Sequence, residues 1–194
     1  MMHTKEMLQA FAPYRGDSIV ISGRGGKHWI EISDTVMDLP LGDPAMGGHA
    51  GFGLGLALAQ PDKRVVLFDS EGDILMSLGQ LATIAEQAPA NFYHFILDNE
   101  VYATTGCQPV PNSKHLDYAM IARGAGYPRA MNIAEIDQFR AELPGILAAP
   151  GPVFVSLKVW PEVENTPIGQ RVRWRKRGAD KVVSDLRGAL GAGV

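Results

Sequence analysis

One cysteine, Cys107, is all the thiol chemistry in this 194-residue chain. That excludes an internal disulfide and an iron–sulfur cluster built from this chain alone, and a single thiol suits a reducing cytoplasm. Charge of one sign is also scarce. The net charge is −3 with 20% charged residues, so there is no basic footprint for nucleic acid. Long apolar runs are missing too. Met1 to Ala10 carries Lys5 and Glu6 and has no hydrophobic stretch of signal length. The most apolar segment, Ala45 to Ala59, is interrupted by Gly47, Gly48, His49, Gly51, Gly53 and Gly55. It is too short and too glycine-rich for a membrane span. The expectation is a cytoplasmic protein with neither a membrane nor a nucleic acid as partner. No internal repeat and no low-complexity segment is visible.

What is present is enough for one domain: 46% of the residues are hydrophobic, and the length is that of a single core. Four short apolar runs read as buried strands: Ser18 to Ser22, Arg64 to Phe68, Phe92 to Leu97 and Val153 to Val159. Between them lie segments with helical spacing. GFGLGLALA leads to Pro61, Ile74 to Ala88 has apolar residues on one face, Leu116 to Ala125 stops at Gly126, and Ile133 to Leu147 is interrupted by Pro144. Strands alternating with helices predict an α/β fold, a parallel sheet with helices on both faces. Ligands of such sheets sit at the carboxyl ends of the strands, so function is expected just after Phe68 and just after Leu97. Residues 1–160 form the expected domain. Residues 161–194 form a basic tail, with Arg171, Arg173, Arg175, Lys176, Arg177 and Lys181. It reads either as a solvated arm packing on the domain, or as a subunit contact or flap over an anionic site.

The two strand-end loops carry chemistry. Asp69-Ser70-Glu71-Gly72-Asp73 follows the second strand and Asp98-Asn99-Glu100-Val101-Tyr102 the third. An acid at one strand end and an Asn at the next can face each other across a crevice. Hard oxygen donors of this kind suit Mg²⁺ shared with phosphate oxygens, and the helix near Ile74 would turn its positive end toward a diphosphate. Such acids also serve simply as caps for the next helix.

The stretch VVLFDSEGDILMSLGQLATIAEQAPANFYHFILDNEVYATTGCQP resembles the thiamine-diphosphate motif of sulfopyruvate and phosphonopyruvate decarboxylases, and LDYAMIARGAGY resembles the following helix of the same domain. The resemblance spans about Ser18 to Lys158 and implies the diphosphate-binding (PP-type) fold, with thiamine diphosphate and Mg²⁺ as cofactors. It implies Glu71 and Asn99, 28 residues apart, as metal ligands, with the Val101 carbonyl as a third. Ser70, Gly72, Asp73 and Tyr102 then border the cofactor. The opening Ser70-Glu71-Gly72 departs from the family's Gly-Asp-Gly, and Asp73 stands where a small or hydroxyl residue is usual. An extra negative charge there would be repulsive unless it turns away or joins the metal shell, and an alternative register makes Asp73 the metal ligand.

Pro44-Ala45-Met46-Gly47-Gly48 resembles the family's Gly-Ser-Met-Gly turn, which implies that Met46 supports the bent cofactor and that the Pro44 carbonyl accepts a bond from its amino group. On residues alone, Met46 is ordinary core. Gly51, Gly53 and Gly55 lack the GxGxxG spacing of a dinucleotide site. His28, at the first strand's end, and His49 are candidates for substrate contact or proton transfer. His94 reads as a core histidine, His115 as surface, and Cys107, where relatives often have Gly, as a small packed residue. Arg24 and Lys27 could neutralise a sulfonate, phosphonate or carboxylate. In the family a Glu that activates the cofactor belongs to a separate pyrimidine-binding domain. A hetero-oligomer is therefore expected, with a partner subunit supplying that Glu and a small anionic 2-oxoacid as substrate. A carboligase half resembling acetolactate synthase, a 2-oxoacid oxidoreductase subunit and a non-catalytic binding subunit remain as alternatives.

Overall fold

A computed structural model describes residues 1–42, 46–171 and 174–191. Six parallel strands form the main sheet: β1 (Ile19–Ser22), β2 (Asp38–Pro40), β3 (Val65–Ser70), β4 (Phe92–Asp98), β7 (Arg129–Ile133) and β8 (Val153–Lys158). Their order is β2-β1-β3-β4-β8-β7. The hairpin β5 (Val101–Tyr102) and β6 (Gln108–Pro109) stands apart as an antiparallel pair. The helices are α1 (Thr4–Phe11), α2 (Trp29–Ile32), α3 (His49–Ala59), α4 (Glu71–Met76), α5 (Gln80–Gln87), α6 (Tyr118–Gly124), α7 (Ile136–Ala148) and α8 (Ala179–Ala189).

Successive strand residues point to opposite faces, and β4 shows the consequence. Phe92 and Ile96 belong to one apolar cluster, with Leu54 of α3, Ile84 of α5 and Leu186 of α8. Tyr93, Phe95 and Leu97 belong to the other, with Leu8 of α1, Trp29 of α2 and Leu143 of α7. Every residue of β4 is buried, as a central parallel strand covered on both faces requires. Of the described residues, none lies in a helix long and apolar enough to cross a membrane.

The four expected strands are all present, but β2 and β7 were not expected. β2 is three residues long, and β7 exposes Arg129 and Asn132. Edge strands need no continuous apolar run, so neither announces itself. The helix expected over Ile74 to Ala88 is in fact two. Ser77, at φ −142° and ψ 44°, leaves helical geometry, and α5 restarts behind Gly79. Gly47 presses on this break: a Cβ on it would lie 3.0 Å from both Met76 Cβ and Ser77 Oγ. Pro144 does not interrupt α7. It has no N–H to donate to the carbonyl one turn back, and the helix runs on through it.

β1 has β2 on one side and β3 on the other. The chain therefore leaves β1 in one direction and returns on the opposite side, which opens a crevice at the carboxyl ends of β1 and β3. The loops after β1, β3 and β4 surround it. The chain after β8 returns across this edge. Glu164 N–H donates to Ala103 O (2.9 Å), Arg171 Nη2 to Thr104 O (2.7 Å) and Arg177 Nη2 to Thr35 O (2.7 Å). α8 then buries Val182 and Leu186 in the cluster that holds Leu39 of β2. Arg173 lies outside the described residues.

Candidate active site

The crevice holds a cavity of about 600 Å³. Met46, His49, Ser70, Glu71, Gly72, Asp73, Asn99, Val101 and Tyr102 all line it. Pro44 lies outside the described residues. His28 is placed differently from the expectation of a substrate contact. Its ring is held between Glu31 (3.0 Å) and Glu162 (2.7 Å), and it is not among the lining residues.

Local chemistry sets each position. Ser70 caps α4: its Oγ accepts from Asp73 N–H (3.2 Å) and donates to Asp73 Oδ2 (2.6 Å). Glu71, the first residue of α4, is 2% exposed, and its Oε1 accepts from Asn99 N–H at 3.2 Å. Its Oε2 is buried with no hydrogen-bond partner. Burial pushes the Glu71 carboxyl up to about 8, with the nearby Asp98 charge adding to the effect. Asn99 Oδ1 accepts from Val101 N–H (3.0 Å), and Glu100 takes a left-handed φ of 67° between them. That turn is pinned by Lys158, which pairs with Asp98 (2.9 Å) and Glu100 (2.7 Å). Gly72 sits under the Tyr102 ring, which a Cβ would approach to 3.3 Å.

The expectation that Met46 is ordinary core on residues alone is not met, since its side chain is 51% exposed at the cavity. Behind it lies a buried polar chain. His49 Nδ1 is 3.2 Å from Asp69 Oδ1 and 3.7 Å from Asp73 Oδ2. His94 Nε2 is 3.5 Å from the other Asp69 oxygen, and His94 Nδ1 is 3.3 Å from Tyr127 OH. Burial disfavours the His49 imidazolium, but Asp69 and Asp73 outweigh it and push the ring up to about 10. Burial likewise opposes the Asp69 carboxylate, and the His49 bond with the nearby His94 ring holds it at about 2. The ligand atoms of His49, Asp69 and Asp73 lie within 4.8 Å of one another, a spacing a cation could span. Their bonds close instead on one another, on Gly47 and on Ser70. Asp69 was not singled out from sequence as a site residue, although a charge closing an apolar strand is the available signal. His94 is fully buried as expected of a core histidine, yet it belongs to this chain.

The profile described as "Thiamine pyrophosphate enzyme, C-terminal TPP binding domain" matches residues 26–157. The chain belongs to this thiamine pyrophosphate enzyme family. It is 41% identical over 117 residues to phosphonopyruvate decarboxylase of Streptomyces hygroscopicus, covering 60% of this chain and 29% of that protein. It is 39% identical over 124 residues to the sulfopyruvate decarboxylase subunit beta of Methanothermobacter thermautotrophicus, covering 64% of this chain and 63% of that one. The chain thus spans less than two thirds of either relative. The fold matches the Mycobacterium smegmatis protein described as "a putative thiamin diphosphate-dependent enzyme" with a TM-score of 0.68 at 20% identity, over 83% of this chain and 32% of that chain.

Within this TPP-binding domain, Arg24 and Lys27 both line the cavity, and Lys27 Nζ lies 3.5 Å from Glu162. Cys107 has a φ of 68°, a left-handed conformation that glycine adopts more readily than other residues. It is partly exposed rather than packed away. His115 is exposed, as expected.

Proposed function

We propose that this chain is the diphosphate- and Mg²⁺-binding subunit of a heteromeric thiamine-diphosphate-dependent decarboxylase acting on a small anionic 2-oxoacid. A separate pyrimidine-binding subunit supplies the activating Glu. The observation that carries the reading is the Glu71 carboxyl: buried, with one oxygen bonded to the Asn99 backbone and the other unpartnered, beside a cavity. An acid so placed offers a free oxygen, and Mg²⁺ takes oxygen ligands of this kind. Glu71, Asn99 and the Val101 carbonyl would hold the metal. Ser70, Gly72 and Tyr102 would border the diphosphate, and the missing Cβ of Gly72 leaves room for close backbone approach. The relatives' names, phosphonopyruvate decarboxylase and sulfopyruvate decarboxylase subunit beta, support both the reaction and the need for a partner.

Thiamine diphosphate, when bound, supplies the electron sink for decarboxylation. The residues of this chain hold and shield it. Met46 would pack against the cofactor, Glu71 would hold the metal as the carboxylate, and Arg24 with Lys27 would offer positive charge to the anionic group of the 2-oxoacid. The test is calorimetric titration of Mg²⁺ and thiamine diphosphate into the chain with its partner subunit, followed by carbon dioxide release from sulfopyruvate and phosphonopyruvate. Saturable cofactor binding with release supports the reading. An assembly that binds no cofactor defeats it.

A further inference from the structure

Asp73 lies in the first turn of α4, and its surroundings give it a different task from contacting a cofactor. Its Oδ1 accepts from Gly47 N–H at 2.8 Å, and its Oδ2 accepts from Ser70 Oγ at 2.6 Å. On the other side of the same peptide turn, Gln80 Nε2 donates to Gly47 O at 2.5 Å. Gly47 has a φ of +75°, a conformation glycine adopts without strain. Gly51 leaves the space Gln80 needs, since a Cβ there would meet Gln80 Oε1 at 2.8 Å. The residue carrying Met46 into the cavity is thus followed by one gripped at both its N–H and its C=O. This partly buried carboxylate is matched by His49, whose Nδ1 faces both Asp73 and Asp69.

We propose that Asp73 and Gln80 clamp Gly47, with His49 balancing the charge, so that the clamp fixes the glycine turn relative to the metal-binding turn. Asp73 is then a positioning residue that acts on the cofactor through Gly47 and Met46, and not a ligand of the metal or the diphosphate. The clamp itself belongs to the chain alone; its effect on the cofactor rests on the function proposed above.

The sign of one substitution separates the possibilities. A carboxylate facing a diphosphate repels it, so its removal would tighten binding, whereas loss of a positioning bond weakens binding. Asp73→Ala is expected to weaken thiamine diphosphate binding at saturating Mg²⁺ by on the order of tenfold to a hundredfold, the size of one hydrogen bond to a charged group. Asp73→Asn keeps an oxygen acceptor for Gly47 N–H and is expected to stay within about threefold of wild type, since it loses a smaller part of the same interaction. In a double-mutant cycle, His49→Gln should weaken binding in wild type and do so less in the Asp73→Asn background, because one of the two charges it balances is gone. The direct signature is the Gly47 amide resonance in the ¹⁵N-glycine-labelled, cofactor-free chain. It should move upfield and lose exchange protection in Asp73→Ala and keep both in Asp73→Asn. Tighter cofactor binding in Asp73→Ala, a change confined to Mg²⁺ half-saturation, or an unmoved Gly47 resonance would each overturn the proposal. A wild-type assembly that binds no thiamine diphosphate sinks the proposed function instead, and the Gly47 resonance still decides the clamp.

Discussion

Replacing Glu71 by Gln should make the metal-free protein more stable at alkaline pH, although it removes a residue of the proposed metal site. Glu71 is 2% exposed, and burial raises its carboxyl from 4.5 to about 8. Between those values the folded chain keeps a proton that the unfolded chain has lost. Its contribution to stability is therefore fully present below about 4.5 and is lost as pH rises through about 8. At about 1.4 kcal/mol for each pH unit, the interval corresponds to roughly 5 kcal/mol at most. Gln keeps the shape and can still accept from Asn99 N–H, but it never ionises. Wild type and Glu71→Gln should then match within about 1 kcal/mol at pH 5, the scale of one neutral hydrogen bond, and the variant should lead by several kcal/mol at pH 9. His49 adds a slope of the same sign, since its raised value of about 10 stabilises fully below 6.5 and is lost as pH rises through 10. That slope is common to both proteins and cancels in their difference. The assay is urea unfolding followed by tryptophan fluorescence from pH 5 to 9 with a chelator present. Parallel stability profiles for the two proteins would refute the argument. Saturating Mg²⁺ and thiamine diphosphate should reverse the order, because a ligand bound only by the folded state stabilises it and Gln cannot neutralise the ion.

Asn99→Ala should weaken cofactor binding sharply with little loss of fold, and Glu71→Asp should be tolerated; unchanged calorimetric affinity in both Asn99→Ala and Glu71→Ala would place the metal elsewhere. The purified chain without a partner subunit should release no carbon dioxide from a 2-oxoacid, and robust turnover by it would disprove the two-chain reading. Met46 is half exposed, so Met46→Ala should leave the melting temperature of the cofactor-free chain nearly unchanged while lowering kcat of the assembly, with Met46→Leu mild; steady-state kinetics beside thermal melts checks this. Leu186→Ala should cost about 2–5 kcal/mol, as other buried leucine truncations do, measured by urea unfolding; a negligible cost would show that α8 is not part of the domain's core.

Hydrophobic patterning alone determined the class of this fold. Four near-continuous apolar runs separated by helical spacing can be buried only as central parallel strands with helices on both faces, and β1, β3, β4 and β8 are those runs. Motif order placed Glu71 and Asn99 at neighbouring strand ends, because strand ends are readable wherever an apolar run meets an acid. Much else depended on contacts distant in sequence. β2 and β7 are edge strands whose pairing is set by their neighbours rather than by their own composition. The break at Ser77 lies against Gly47, about thirty residues earlier, a contact that chain separation hides from local patterning. The task of Asp73 was undecided from sequence, which offered repulsion, turning away or metal binding. Tertiary structure turned it toward Gly47 N–H and set His49 beside it, since a partly buried carboxylate needs donors and a counter-charge, and beyond Ser70 those came from another loop. The chain after Trp160 read as a basic arm by composition. Only packing decided that it crosses the carboxyl edge of the sheet and buries Val182 and Leu186, because two apolar residues in a charged helix find a core only where another element leaves one uncovered.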